Sequence, residues 1–120
     1  QSRSSAASDV YKRQLYNTIT LLRERAREQY SKVRLERYNY YTGKATAEVY
    51  AEEPFPYKVR EKDAIQRHLE ADDKMNKIDM KIKYYDVMLK FLEEIIRAIS
   101  NRTYQIKNAI EWNKFQAGFG

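Results

Sequence analysis

The clearest pattern in the chain lies between Ile78 and Ile110. Ile78, Ile82, Tyr85, Leu89, Leu92, Ile96, Ile99, Thr103, Ile106 and Ile110 follow one another there at alternating spacings of four and three. That is the heptad pattern of a long helix, with Thr103 its one polar member. Tyr84, Met88, Phe91, Ile95 and Ala98 make a second stripe beside the first. Together they form an apolar band too broad for a two-helix contact, so several helices must cover it. Ile78, Met80, Ile82 and Tyr84 also alternate with Asp79, Lys81 and Lys83 as a short strand would, but the longer heptad register outweighs that reading.

The amino-terminal half carries a narrower apolar edge. Leu15, Ile19, Leu22, Ala26, Gln29 and Val33 recur at helical spacing. They predict a helix from about Asp9 or Leu15 to Tyr41, ended by Gly43, whose permissive backbone suits a helix terminus. Ala45–Tyr57 reads as a linker, because Pro54 and Pro56 flank Phe55 and neither helix can run through them. Val59, Ile65 and Leu69 mark a second helix over Tyr57–Glu70. The opening Gln1–Gln14 is small, polar and aperiodic, resembling a translated sequencing-adaptor remnant, and residues 1–14 are set aside as a non-native or disordered leader. This divides the chain into a basic helix and turn over 15–44, a linker over 45–57 and a helical oligomerisation region over 58–120.

The expected fold class is all-α, with long amphipathic helices forming an oligomeric helical bundle or ring. One narrow edge on the first helix cannot cover the carboxy-terminal band. At roughly 1.5 to 3 kcal/mol per buried large apolar side chain, half of the second stripe left wet would forfeit stability comparable to that of a small domain. The remainder is therefore expected to be buried between copies, through Ile82, Tyr85, Leu89, Leu92, Ile96, Ile99, Ile106 and Ile110. A chain of 120 residues is one domain at most, and self-association would help it. With 33% charged residues, 3 Gly and 2 Pro, composition also favours helices over sheets.

Charge sharpens the picture by its distribution. From Tyr11 to Lys44 nine bases face three acids, from Ala45 to Met75 five face eight, and from Asn76 onward eight face five, so the excess sits in the first helix. There Arg23, Arg27, Tyr30, Arg34, Arg37 and Tyr41 line one face beside the apolar edge, and no acid interrupts them. Ordinary solvated faces interleave signs at i and i+4, whereas here only Glu28 and Lys32 do so nearby. Repeated cations repel unless something compensates them, and a polyanion is the obvious candidate. The reading requires those arginines to be free of carboxylate partners within the chain.

Other chemistry is thin. There is no cysteine, which fits a reducing cytoplasm and removes disulfides and thiolate metal sites. No apolar run approaches the roughly 18 residues of a membrane span, and no signal peptide is recognisable. Lys44 follows Gly43 without the upstream glycine of a phosphate-binding loop. His68, the only histidine, has no nucleophile or ligand set in the sequence and reads as a helix residue. Glu52 with Glu53, and Asp72 with Asp73, read as solvated acids or, for the aspartates, as caps. No catalytic residue, metal or cofactor is expected.

Taken together, the basic helix, the turn and the heptad band resemble the UvsY family of recombination mediators of T-even-like phages, over about Val33–Gly118. Arg37, Tyr40, Tyr41 and Gly43 match its basic helix and turn. Ala71, Asp72, Lys77, Asp79, Tyr84, Leu89 and Phe91 fall in register, followed by Ala98, Ile99, Arg102, Ile106 and Lys107 and then Phe115, Ala117 and Gly118. The resemblance implies a non-enzymatic protein of the host cytoplasm that forms rings of six or seven subunits and binds single-stranded DNA. It also implies weakening of the phage single-strand-binding protein on that DNA and loading of the UvsX-like recombinase. Of the two basic residues that carry DNA binding in the family, only the arginine transfers, to Arg37. The lysine position is occupied by Leu35, and Arg34 substitutes by geometry.

The DNA-binding residues expected on this basis are Arg23, Arg27, Tyr30, Arg34, Arg37, Tyr41 and Lys44. Arginines supply a cationic track and tyrosines, Tyr38 and Tyr40 also among the candidates, supply faces on which bases stack. Tyr41 lies in line with the arginines; Tyr40 continues the apolar edge. Two rivals stand beside this reading. A structural helical-bundle or coiled-coil assembly protein would leave the basic face without a nucleic-acid role. A membrane-surface amphipathic helix would explain the basic stretch, though its apolar edge lacks the Trp and Phe such helices favour.

Overall fold

The computed structural model describes residues 2–119, with side chains from Ala7 to Gly118. Those residues form four helices and no strand: α1 (Ser2–Tyr41), α2 (Ala47–Glu52), α3 (Lys62–Glu70) and α4 (Asp73–Phe119). The fold is all-α. Helix α1 begins well before the expected Asp9 or Leu15, because no Gly or Pro interrupts the chain before Gly43 and Asp9 pairs with Arg13 one turn on, at 3.8 Å. The stretch 1–14 is thus helical from Ser2 on. The segment 45–57, expected as a linker, contains α2, and the expected second helix starts only at Lys62. Ile78–Tyr84 is helical, with Lys83 bonded to Asp79 across one turn at 2.9 Å.

The chain divides into two compact units, one holding the chain up to Thr20 and from Val87 onward, the other Leu21–Asp86. In the first, Ile19, Leu89 and Leu92 are buried, and Leu15, Tyr16, Met88, Ile95, Ile96 and Ile99 are half-buried. The heptad stripe is therefore covered within the chain as far as Ile99. Leu89 and Leu92, expected at a contact between copies, are 4% and 7% exposed and are packed within the subunit. Beyond Asn101 every described side chain is exposed, including Ile106 (53%), Ile110 (49%), Trp112 and Phe115.

The second unit is organised around the end of α1. Lys44 N–H donates to Asn39 O at 2.8 Å and Gly43 N–H to Tyr40 O at 3.4 Å, the paired bonds of a Schellman cap. Gly43 has φ of 81°, a conformation that a side chain would strain. Tyr40, Tyr41, Ile65, Leu69 and Met75 form the core, with Phe55 and Val59 packed against it. Tyr40 stacks on Tyr50 at 5.4 Å, and both Tyr40 and Tyr41 pack on Phe55. The Tyr50 hydroxyl donates to Tyr40 O at 2.7 Å, which closes α2 back on the helix terminus. Ile78 and Ala26 are buried in the same unit, while Ile82 and Tyr85 are half-buried.

Candidate nucleic-acid interface

Seven positions were expected to bind DNA, six of them on one helical face with Lys44 beyond it, and they differ in the partners the structure gives them. Arg23 bonds Asp86 at 3.0 Å and lies 3.7 Å from Glu24; Arg27 bonds Glu24 at 2.8 Å and lies 4.0 Å from Asp86. Arg37 is 5% exposed, its Nε donating to Asp72 at 2.6 Å and its Nη1 and Nη2 to the two oxygens of Glu53 at 3.1 and 3.2 Å. The face that looked acid-free is corrected: the carboxylates arrive from α4, from the end of α2 and from the residue ahead of α4, or from the adjacent side of α1 itself. Linear spacing within α1 carries no information about the first three.

Asp72 is the hub of the buried group. Its Oδ2 accepts from Arg37 and from the Tyr41 hydroxyl at 2.5 Å, and its Oδ1 accepts from the Met75 N–H at 3.0 Å, capping α4. Burial favours the neutral acid, but these donors outweigh it and hold Asp72 below its ordinary value. Burial likewise opposes the charge on Arg37, yet its bonds to Glu53, Tyr41 and Asp72 raise it further. Tyr41 is raised by burial first and by its bond to Asp72 second. Of the paired acids, Glu53 and Asp72 are therefore ion-pair partners of Arg37, and Asp72 is also a cap. Tyr40, 2% exposed, donates its hydroxyl to Glu53 O at 3.0 Å. Neither Tyr40 nor Tyr41 presents a ring to a base.

What remains open is a groove beside this core. Arg34 and Tyr38 lie one turn apart near the end of α1. Past α2 the chain has no regular secondary structure before α3, and Val59 N–H donates to Tyr41 O at 2.9 Å, tying it to the helix terminus. Phe55 and Val59 pack against the core, while Lys58 and Arg60 are exposed. The Lys58 stem lies over Gly43, where an added Cβ would come within 2.9 Å of it. Helix α3 then begins with Lys62. Arg34, Tyr38, Arg60, Lys62, Ile65, Gln66 and Leu69 line a groove of about 390 Å³ that contains no acid. Lys44 sits over the Tyr38 ring at 5.8 Å. Arg34, Lys44, Lys58, Arg60 and Lys62 have no carboxylate partner among the described residues.

Tyr30 lies in an adjoining hollow with Arg34, accompanied by Glu70 and Asp79. Of the seven expected residues, Arg34 and Lys44 are therefore at the open groove and Tyr30 is next to it. Lys58, Arg60 and Lys62 were missed, because the acidic excess of 45–75 masks them. The usable signal was the placing of Lys58 and Arg60 on either side of apolar Val59, which packs on the core. His68 is a helix residue, with Nδ1 2.8 Å from Ala64 O and its ring against Tyr41 and Phe55. No group of three or more His, Cys, Asp or Glu able to hold a metal occurs among the described residues.

A basic, acid-free groove with one half-buried aromatic wall has the chemistry that a flexible phosphate chain requires. The profile of the family described as "Recombination, repair and ssDNA binding protein UvsY" matches residues 8–119. The chain belongs to the UvsY family. It is 28% identical over 117 residues to the recombination protein uvsY of Enterobacteria phage T4, an alignment covering 94% of this chain and 82% of that protein. No solved structure matches. Membership in the UvsY family makes this a protein of recombination and repair that binds single-stranded DNA. No helix among the described residues is long and apolar enough to cross a membrane.

Proposed function

We propose that this UvsY-family chain is a recombination mediator that grips single-stranded DNA through the groove of Arg34, Tyr38, Arg60 and Lys62, with Lys44 and Lys58 beside the helix terminus next to it. The observation that carries the reading is a groove lined by Arg34, Arg60 and Lys62, none held by a carboxylate among the described residues, along one half-buried tyrosine that Lys44 also overlies. Phosphates lie along the cations and a base stacks on Tyr38, a contact worth about 1 to 3 kcal/mol.

A single subunit with a few phosphate contacts binds weakly, and linking copies multiplies the effect through local concentration. The apolar residues exposed at the far end of α4, Ile106, Ile110 and Trp112, support self-association. The ring of six or seven subunits implied by the family resemblance would place several grooves on one strand. Such a collar holds DNA in a path that disfavours its single-strand-binding protein and presents it to a UvsX-like, RecA-like recombinase.

A second reading is favoured by the ion pairs of Arg23, Arg27 and Arg37: a structural helical assembly whose basic helix serves only its own packing. Titrating a labelled oligo-dT across a salt series decides between them. Single-strand binding predicts a linear fall of log affinity with log salt, with a slope of roughly −0.7 per phosphate contact. Absent or salt-insensitive binding supports the structural assembly instead.

A further inference from the structure

The two carboxylates on Arg37 are not equivalent. Asp72 is locked, its side chain 2% exposed and bonded on both oxygens. Glu53 has a side chain 49% exposed and stands at the end of α2, a six-residue helix with no buried residue. Its Oε2 lies 3.1 Å from Arg37 Nη1 and 3.9 Å from Lys74 Nζ, and its Oε1 lies 3.2 Å from Arg37 Nη2. A carboxylate held by the planar fork of one guanidinium and by a neighbouring ammonium fills a position whose geometry suits a phosphate equally well.

Arg37 and Lys74 also line a pocket of about 460 Å³, together with Lys44, Asn39, Thr46 and one acid, Glu36. If Glu53 swings out, Arg37 keeps Asp72 as its partner and is not left uncompensated. The backbone of Glu53 need not move, since its carbonyl is anchored by Tyr40. Lys44, over Tyr38 at the groove, borders both sites.

We infer that Glu53 gates the DNA contact that the family resemblance implies for Arg37, with Lys74 as its second cation: the carboxylate occupies this phosphodiester position in the unliganded chain and vacates it when a strand enters. This rests on the single-strand reading and adds regulation to it: the protein's own carboxylate competes with DNA, so occupancy of this site is gated. The phosphate chemistry is shared by a DNA backbone and by free phosphate, and the test separates the two.

The probes are labelled oligo-dT and inorganic phosphate, on the wild-type chain, Glu53→Gln and Glu52→Gln. Glutamine leaves Arg37 an acceptor oxygen, and Glu52 is an exposed neighbour without a bond to Arg37, so it controls for the unit change in net charge. Glu53→Gln is expected to bind oligo-dT about tenfold tighter than Glu52→Gln, with a salt slope steeper by roughly 0.7. Lys74→Gln in the Glu53→Gln background should remove that gain. Equal affinities for the two single variants, or a gain indifferent to Lys74, overturn the gate.

If no variant binds oligo-dT, the single-strand reading itself fails, and the phosphate arm still decides the site. At ionic strength matched with chloride, phosphate should then raise the melting temperature of Glu53→Gln more than that of Glu52→Gln. Equal shifts overturn the site.

Discussion

Asp72 meets three demands with one carboxylate: it caps α4 through the Met75 N–H, accepts the Tyr41 hydroxyl and balances Arg37. Losing one partner of such a buried pair typically costs about 3 to 5 kcal/mol, because the other charge is left without compensation. Asp72→Asn keeps a capping oxygen and should therefore lower stability chiefly through Arg37, by an amount read from urea unfolding at pH 7. The pH dependence has a definite sign. The pKa of Asp72 is depressed in the folded chain, so its contribution is present above the ordinary carboxylate value near 4 and is lost as pH falls through the lowered one. Wild-type stability should fall more steeply below about pH 4 than that of Asp72→Asn; parallel curves would remove Asp72 from this role. The sequence exposes half of this. An aspartate ahead of a helix reads as a cap, but the partnership with Arg37 joins positions 35 residues apart, which no local spacing encodes.

At the scale of elements, turn chemistry was readable and tertiary pairing was not. Gly43 ends α1 where its permissive backbone predicts, and Pro54 and Pro56 keep the following chain out of helix until Lys62. Helix α2 was missed because six residues with no buried side chain leave no periodic signature; its position comes from Tyr50 and Glu53 reaching back to the end of α1. The heptad stripe of α4 was legible throughout, yet its uses differ along its length. Leu89 and Leu92 are buried in their own subunit, while Ile106 and Ile110 are exposed on a stretch where every described residue is exposed. If that stretch joins copies, Ile106→Lys with Ile110→Lys should raise the concentration at which the assembly dissociates by at least about tenfold in sedimentation velocity, while the helical signal persists. An unchanged size distribution would place the interface elsewhere.

For the whole molecule, net charge of +6 located the basic half of the chain but not the residues that carry it to a ligand. Cations on a helix are pulled two ways, towards carboxylates supplied by the fold and towards polyanions in solution, and here the fold has claimed Arg23, Arg27 and Arg37. Of those left over, Arg34, Arg60 and Lys62 come from α1, the segment before α3 and α3 and meet at one groove, with Lys44 and Lys58 beside the helix terminus. The central claim is that this residual set makes the primary contacts to DNA, ahead of the gated site at Arg37. It is tested most directly by comparing the salt dependence of oligo-dT binding for Arg34→Ala with Arg60→Ala against Arg23→Ala with Arg27→Ala. The groove pair should flatten the slope by roughly 1.4 and weaken binding more than tenfold, while the ion-paired set leaves the slope unchanged. The opposite ranking, or equal losses from both pairs, would contradict the account.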